Sequence, residues 1–456
     1  MAGSMRPRAT TPSMAQMLLL GLPTFALAFV NMPLNIVLPA FYAAHTQVTL
    51  VQIGLVTTFS RLFDVLTDPM IGVLSDRTKS RLGRRKPWVL AGGFLCAGSI
   101  LFLFNPTHRS DVIYFGLSSY FLYLGFSLFD IPRNAWTTEI SRDQEKRTTI
   151  NLILAVMAIS GALIFWLSPI VLSGLTGTTQ ITGASLTAMS VLFAIIMPAA
   201  SVLAAIYVPT GIPVASAPLT LKSLVWSATR NRPLRIFTVA AILWNAGQSA
   251  YLSVFLIFVT DRLKLGAAFA PLMIGFFIVQ IATAPVWAWL SNRFGRNRAW
   301  AFGLATDALL RPLVLLLPPG HALVGMAALV GVSAFLSVPT NFAPPAMLSD
   351  AVDYDFMRSG VNKAGNIFSL YTLVGKAASA LGAGGVLILL GWMHYKVGAV
   401  NSQGAEMALT LAYAVVPGIL AICAAVFIAM FPLSARRHAI VRRRLEGRAQ
   451  RPAQAV

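Results

Sequence analysis

The chain has 456 residues, of which 57% are hydrophobic and only 11% charged, a balance far from that of soluble domains. Its net charge of +20 raises the question of nucleic-acid binding, but the basic residues are concentrated between apolar segments, as in membrane proteins. The two cysteines, Cys96 and Cys423, lie within apolar segments, which argues against a disulfide framework or a metal site. The composition therefore predicts an all-α protein of the lipid bilayer.

Apolar segments long enough to cross about 30 Å of hydrocarbon recur along the whole chain. We predict twelve transmembrane helices, spans 1 to 12, at residues 16–43, 50–74, 88–105, 112–136, 149–173, 183–208, 236–259, 266–290, 299–318, 322–347, 366–392 and 407–431. A short polar leader precedes the first span, and we expect no cleavable signal peptide.

The basic residues are distributed unevenly between the two sides of the predicted spans. Of the 35 Lys and Arg residues, four lie in loops on one side, namely Arg109, Arg262, Lys264 and Lys396. Another four lie in spans, namely Arg61, Arg133, Arg311 and Lys376. The others share the opposite side with both termini, which predicts that both termini are cytoplasmic. We expect the protein to lie in a bacterial-type inner (plasma) membrane. The basic tail is expected to contact anionic lipid, with no nucleic-acid partner.

Span 2 carries two carboxylates in its middle. Asp64 and Asp68 are four residues apart and therefore share one helix face. A charge at this depth costs several kcal/mol by insertion scales, so it is usually functional and usually has a partner. A proton, a metal cation or a basic side chain would relieve the electrostatic repulsion between the two carboxylates. A purely structural network with Arg61 or Lys376 is the alternative.

Span 4 carries a third carboxylate at a similar depth. Asp130 lies about as far before the end of span 4 as Asp68 lies before the end of span 2. With Thr67 and Ser127, the three carboxylates can supply an all-oxygen site for a hard monovalent cation. The alternative is that Asp130 caps or kinks span 4 ahead of Pro132.

The chain contains an internal repeat. Leu82-Gly-Arg-Arg-Lys-Pro-Trp88 follows span 2, and Phe294-Gly-Arg-Asn-Arg-Ala-Trp300 follows span 8. Parallel repeats of this kind build transporters whose site lies between two halves near the bilayer midplane. We predict a six-helix bundle at 1–208, a cytoplasmic linker at 209–235, a second six-helix bundle at 236–432 and a basic cytoplasmic tail at 433–456.

These motifs resemble those of a known superfamily. The segment from Gly72 through Lys86 resembles the loop signature of the major facilitator superfamily. Asp64 to Pro69, Asp130-Ile-Pro132, Asp143 to Arg147, Asp350 to Tyr354 and Lys376 are similar to motifs of the glycoside–pentoside–hexuronide:cation symporters, the family typified by the melibiose permeases. The chain is identified as a member of this family.

The resemblance implies a major facilitator fold of two pseudo-symmetric bundles and cation-coupled symport by alternating access. It implies Na+, H+ or Li+ coupling at Asp64, Asp68, Asp130, Thr67 and Ser127, with Thr372 as an additional oxygen ligand. From its depth in span 11, Lys376 is expected to hold the aspartates when the site is empty, and Arg61 is a further candidate for an ion pair with them. We expect no enzyme activity, no cofactor and no other metal, and a chain that works as a monomer. For Lys376 the alternative is a fixed ion pair, and for Thr372 a hydrogen bond to its own helix.

The cytoplasmic loops carry charged residues that we expect to form a gate between the halves. These residues are Asp76, Arg77, Arg81, Asp143, Arg147, Asp350 and Asp353. Pairs among them would stabilise an outward-open state and break as the protein rocks inward. Simple topology signalling is the alternative.

The solute is predicted less directly. Span 1 has no charge, Asn134 stands where the family has an aromatic residue, and Ala155 stands where it has a span-5 arginine. Candidate solute ligands are Asn31, Asn35, Tyr123, Arg133, Asn134, Trp136, Trp244, Asn245 and Gln248, each with packing as the alternative. A sugar or glycoside is the expected solute. The rival is a lysolipid-like amphipathic solute, because animal lysophospholipid symporters share the aspartate pair.

Asp307 and Arg311, four residues apart in span 9, are expected to form a structural pair within the helix. A channel is disfavoured because no filter sequence or pore-lining ring is evident.

Overall fold

The computed structural model describes residues 12–140, 144–211, 231–360, 363–433 and 440. Within them, twelve helices are long and apolar enough to cross a membrane, which confirms the predicted all-helical fold. We number them α1 (Met14–His45), α2 (Leu50–Arg77), α3 (Lys86–Leu103), α4 (Val112–Ile140), α5 (Thr149–Thr176), α6 (Gly183–Tyr207), α7 (Arg232–Arg262), α8 (Gly266–Phe294), α9 (Arg296–Leu316), α10 (Leu323–Ser359), α11 (Ala364–Trp392) and α12 (Gln403–Ala429).

Polar residues at the helix starts explain several of these boundaries. α1 begins after Ser13 and α2 after Thr49, and in each case the hydroxyl accepts a hydrogen bond from the backbone of a glutamine three residues on. The side-chain oxygen of the glutamine in turn accepts a hydrogen bond from the backbone N–H of the cap residue, which completes a capping box. Such caps satisfy backbone N–H groups that the first helical turn leaves free.

Several spans change helix type along their length, which hydrophobicity alone does not predict. α9 tightens to a 3-10 helix at Arg311–Leu316, and α10 is interrupted at Val338. Pro312 and Pro339 follow these two points, and each lacks the N–H needed to continue the hydrogen-bond ladder. π-helical turns end α7 at Phe258–Arg262 and interrupt α12 at Leu411–Val415.

The chain divides into two compact units. The first comprises Met1–Ala215 together with Gly266–Pro271, and the second comprises Ser216–Leu265 and Leu272–Val456. α1 to α6 belong to the first unit, and α7 to α12 belong to the second apart from the first turn of α8.

The two units share one way of packing their first helix against their fifth. A Cβ built on Gly161 of α5 would lie 2.2 Å from the backbone oxygen of Phe25 in α1. A Cβ built on Gly382 of α11 would lie 2.0 Å from the backbone oxygen of Ala246 in α7. Only glycine allows this approach of two backbones, so the repeat seen in the loops extends to the packing of the helices.

Candidate cation and solute site

α2 presents two carboxylates and a hydroxyl within one turn. Asp64 is buried, with 7% of its surface exposed, and Asp68 is half-buried. The Thr67 hydroxyl donates to the backbone oxygens of Phe63 at 3.3 Å and Asp64 at 3.4 Å. Its oxygen can still accept or ligate, because a hydroxyl carries two lone pairs.

Contacts between α2 and α4 set the relative depth of their residues. The rings of Phe63 and Tyr120 lie 5.3 Å apart, and a Cβ on Gly72 would lie 4.0 Å from Ile131. Residue numbers rise together in both contacts, so the helices run in the same direction. The α4 neighbours are 57 and 59 positions later in sequence (63 to 120 and 72 to 131).

This register brings Ser127 to the level of Asp68. Asp130 lies about one turn, or ~5 Å, further toward the C-terminal ends of the two helices. Ser127 is 2% exposed, and its Oγ has no hydrogen-bond partner among the described residues. A buried hydroxyl without a partner is uncommon, and coordination of a cation would satisfy it.

Asp130 is held by its own helix. Arg133 Nη2 donates to Asp130 Oδ1 at 2.7 Å, and Asn134 Nδ2 donates to Asp130 Oδ2 at 2.9 Å. The same Nη2 also donates to Asn134 Oδ1 at 2.9 Å, while Arg133 Nη1 reaches Thr24 Oγ1 of α1 at 2.9 Å. Both carboxylate oxygens of Asp130 therefore have donors in this structure.

The predicted carboxylate ligands do not converge in this state. In the described part of the chain, no three His, Cys, Asp or Glu side chains are grouped so that they could hold a metal ion. The contacts of Asp130 with Arg133 and Asn134 supply the physical reason, because they tie the third carboxylate to its own helix. The cation site at Asp64, Asp68 and Asp130 stays a prediction.

The Arg61 side chain contacts residues of α1 and α4 that the sequence predicts as solute ligands. Its Nη2 donates to Asn35 Oδ1 of α1, and its guanidinium lies 5.3 Å from the centre of the Tyr123 ring of α4. Asn35 in turn donates to the backbone oxygen of Asn31 at 2.8 Å. Four sequence-selected residues thus form one connected group across α1, α2 and α4.

In the second unit, the packing of α7 against α11 brings the predicted solute ligand Asn245 close to Lys376. A Cβ on Gly375 would lie 3.7 Å from the Asn245 amide nitrogen, so Asn245 faces α11 next to the half-buried Lys376. The Thr372 hydroxyl donates to the backbone oxygen of Phe368 at 3.1 Å, a bond within its own helix.

Two of the selected tryptophans lie in packing positions. Trp136 is 1% exposed, and its Nε1 donates to the backbone oxygen of Pro209 at 2.8 Å. The Trp244 ring meets the buried Trp300 of α9 edge to face, with 5.9 Å between ring centres. Gln248, one turn after Trp244, is half-buried. These contacts favour the packing alternative for both tryptophans.

The loop after α2 forms a charge network that the sequence did not predict. Arg85 contacts Asp76 and also donates to Glu139 Oε1 at 3.0 Å and to Ser75 at 2.7 Å. Arg84 donates to the same Glu139 oxygen at 2.6 Å. Glu139, at the end of α4, is 4% exposed, so both arginines compensate a buried carboxylate.

The loop after α8 repeats half of this arrangement. Arg296, at the position of Arg84 in the repeat, donates to Asp350 near the end of α10 at 2.9 Å. The preceding glycines, Gly83 and Gly295, have φ of +97° and +98°, a backbone conformation that favours glycine. The repeat is therefore preserved in backbone shape and in one ion pair.

The predicted gate residues are placed as follows. Asp76 and Asp350 are paired within their own units, and Arg77 and Arg81 are exposed. Asp353 is half-buried. Asp143 and the side chain of Arg147 lie outside the described residues. Arginine at the same place in both copies of the repeat was the available signal for Arg84 and Arg296, whereas Glu139 had none.

Asp307 and Arg311 form the ion pair expected within α9, with 2.8 Å between Oδ2 and Nη2. The guanidinium lies 4.1 Å from the centre of the Tyr251 ring of α7. Tyr251 lies 5.2 Å, ring to ring, from Tyr413 in the π-helical turn of α12. The pair joins three helices of the second unit.

Twelve membrane-length helices in two units, with loop signals repeated in each, define a multi-pass membrane transporter. Residues 19–435 match the family described as MFS/sugar transport protein, and the chain belongs to that family of cation-coupled sugar symporters. It is a transporter and not an enzyme.

The curated relatives span two kinds of solute. YagG, a candidate glycoside/cation symporter of Escherichia coli (strain K12), is 25% identical over 94% of both chains. The lactose permease of Lactobacillus delbrueckii subsp. bulgaricus is 26% identical over 95% of this chain and 72% of its own. The sodium-dependent lysophosphatidylcholine symporter 1 of Xenopus tropicalis is 23% identical over 87% of this chain and 81% of its own.

Among solved structures, the nucleoside transporter NupG has a similar fold, with a TM-score of 0.67 at 14% identity. The match covers 91% of this chain and 99% of that chain. It supports the fold alone.

Proposed function

We propose that this symporter accumulates a sugar or glycoside by alternating access, driven by Na+ or H+, with Li+ as a substitute ion. The chain would act as a monomer in a bacterial-type inner membrane with both termini cytoplasmic. The observation that carries the cation site is a set of oxygens within about one helical turn of depth: Asp64 and Asp68 of α2, with the unpartnered Ser127 hydroxyl of α4 level with Asp68. Thr67 and Asp130 would complete the ligands.

Coupling follows if cation and solute both bind better to the same conformation. The cation would bind the α2 carboxylates and so stabilise the conformation to which the solute also binds. The solute would contact Asn31, Asn35 and Tyr123 near Arg61 in the first unit. Asn245 and Gln248, beside Lys376, are the candidate solute ligands of the second unit. Trp136 and Trp244 would pack within their own units and take no part in binding the solute.

A second candidate is a lysolipid-like amphipathic solute. The specific observation is that α1 carries no acidic residue, Lys or Arg, whereas a lysophosphatidylcholine symporter is among the relatives. An uncharged first helix suits an acyl chain as well as it suits a sugar with few ionic contacts.

Uptake into proteoliposomes tests these proposals, with sodium and proton gradients imposed separately. We expect one gradient to drive accumulation and Asp68→Asn to abolish it, because the amide cannot replace the carboxylate charge. Glu406→Gln, which removes an exposed carboxylate at the start of α12, serves as the control and should accumulate solute normally. Gradient-driven accumulation by Asp68→Asn would exclude the proposed cation site. Glycosides and lysolipids compared in the same assay separate the two solutes.

A further inference from the structure

Arg133 is a buried cation with an incomplete set of partners. The residue is 7% exposed, and its guanidinium donates to Thr24, Asp130 and Asn134 and lies 5.8 Å from the Phe129 ring centre. Its Nε is buried and has no hydrogen-bond partner in the described part of the chain. Nε and Nη2 form one edge of the guanidinium. Nη2 donates hydrogen bonds, whereas Nε donates none to the described residues.

Asp130 is the more accessible member of the pair. Its side chain is 41% exposed, against 9% for Arg133. Asn134, which holds the other carboxylate oxygen, is exposed as well. A small cation can therefore reach Asp130 without displacing the body of the arginine, which Thr24 of α1 fixes from the other side.

The charges within the predicted spans balance when no ligand is bound. The cations are Arg61, Arg133, Arg311 and Lys376, and the anions are Asp64, Asp68, Asp130 and Asp307. One bound monovalent cation leaves one uncompensated positive charge in the low-dielectric interior, which is unfavourable. A neutral solute does nothing to compensate it, whereas a singly anionic solute does.

We infer that Arg133 and Asp130 form an exchangeable pair, in which the coupling cation replaces Arg133 at Asp130 and the freed guanidinium binds an anionic oxygen group of the solute. The group is a carboxylate or a phosphate, because these oxyanions match the planar edge of a guanidinium with two parallel hydrogen bonds. This inference rests on the proposed cation site. The exchange makes the two ligands mutually dependent. The cation replaces Arg133 as the partner of Asp130, and the solute anion replaces Asp130 as the partner of Arg133.

The shared chemistry has two possible sources, an acidic sugar or a phospholipid-like headgroup. Uptake of two matched pairs distinguishes them: methyl β-D-glucuronide against methyl β-D-glucoside, and lysophosphatidylglycerol, a singly charged phosphodiester, against monoacylglycerol. Within the pair that is carried, we expect the anionic member to be taken up at least tenfold faster. Arg133→Gln should remove that preference and Arg133→Lys should retain part of it. Equal uptake of the neutral and anionic members, or an unchanged preference in Arg133→Gln, would overturn the inference.

Cation binding to solute-free protein gives a second readout that needs no known solute. Binding of radioactive sodium, and proton uptake in a separate sodium-free titration, are measured on the purified full chain. Arg133→Gln should bind the coupling cation several-fold more tightly than the wild type, because it removes the internal competitor. Equal or weaker binding by the variant contradicts the exchange.

The same measurements separate this inference from the proposed function. If the wild type binds neither sodium nor protons and accumulates no probe, the cation site itself is wrong. If Arg133→Gln fails to fold, the double variant Asp130→Asn with Arg133→Gln keeps a neutral hydrogen-bonded pair. It should fold, lose cation coupling and lose the preference for anions. A double variant that still prefers the anionic probe over its neutral match would refute the role of Arg133.

Discussion

Asp130–Arg133 in the first unit and Asp307–Arg311 in the second are both ion pairs within one membrane-spanning helix. In the first pair the carboxylate is 41% exposed and the guanidinium 9%. In the second pair both side chains are 11% exposed, and a tyrosine ring covers the guanidinium at 4.1 Å. A pair with one open partner can exchange that partner for a ligand. A pair closed on both sides can only be broken. We therefore expect burial to separate an exchangeable ion pair from a structural one.

The closed pair should show the larger stability effect. Asp307→Asn leaves the Arg311 charge buried without a counter-charge, and we expect a loss of about 3–5 kcal/mol in unfolding free energy. Thermal unfolding of the detergent-solubilised protein measures it. Asp307→Asn combined with Arg311→Gln should recover most of the loss. A single variant as stable as the wild type would show that this pair is not structural.

The open pair should tolerate the equivalent change better. Asp130→Asn is expected to cost about 2 kcal/mol, because Arg133 keeps Thr24 and Asn134 as partners. Gradient-driven accumulation should nevertheless be lost in proteoliposomes. If Asp130→Asn destabilises the protein as much as Asp307→Asn does, the contrast between the pairs is wrong.

The tyrosine that closes the second pair should contribute a smaller amount. Tyr251→Leu removes the ring from the Arg311 guanidinium and should cost about 1 kcal/mol beyond its packing loss. Tyr251→Phe keeps the ring and is the matched control. Equal thermal unfolding midpoints for the Leu and Phe variants would show that the ring does not stabilise Arg311.

The smallest effect concerns the amide that holds the open carboxylate. Asn134→Ala removes one hydrogen bond to Asp130 at an exposed position and should change the unfolding free energy by about 0.5–1 kcal/mol. Freeing Oδ2 should raise the affinity for the coupling cation a few-fold, which sodium binding measures. A lower affinity would mean that Asn134 positions Asp130 for the cation.

The spans could be predicted because each is a continuous apolar run, and hydrophobicity along the chain decides which segments enter the bilayer. Helix breaks were harder to predict. The interruption at Val338 and the π-helical turn around Tyr413 are each followed by a proline, Pro339 and Pro417, and both prolines also fit within an apolar span.

The candidate site, which stays a prediction, could be proposed from the sequence because its residues are unusual for their depth. Charge within an apolar span identified Asp64, Asp68, Asp130 and Arg133 from the sequence. The pairing of Arg133 with Asp130 is not predictable in the same way, because a spacing of three residues fits several rotamers, including ones that turn Arg133 toward a solute. The bond between Arg85 and Glu139 joins residues 54 positions apart, and only the packing of α4 against the loop brings them together.

The balance of buried charge has a bioenergetic consequence. A cycle that carries one monovalent cation with one singly charged anion moves no net charge across the membrane. The transmembrane voltage then neither drives nor opposes uptake, and the cation concentration ratio alone sets the limit of accumulation. Such a transporter would keep working in a depolarised cell as long as the ion gradient lasts.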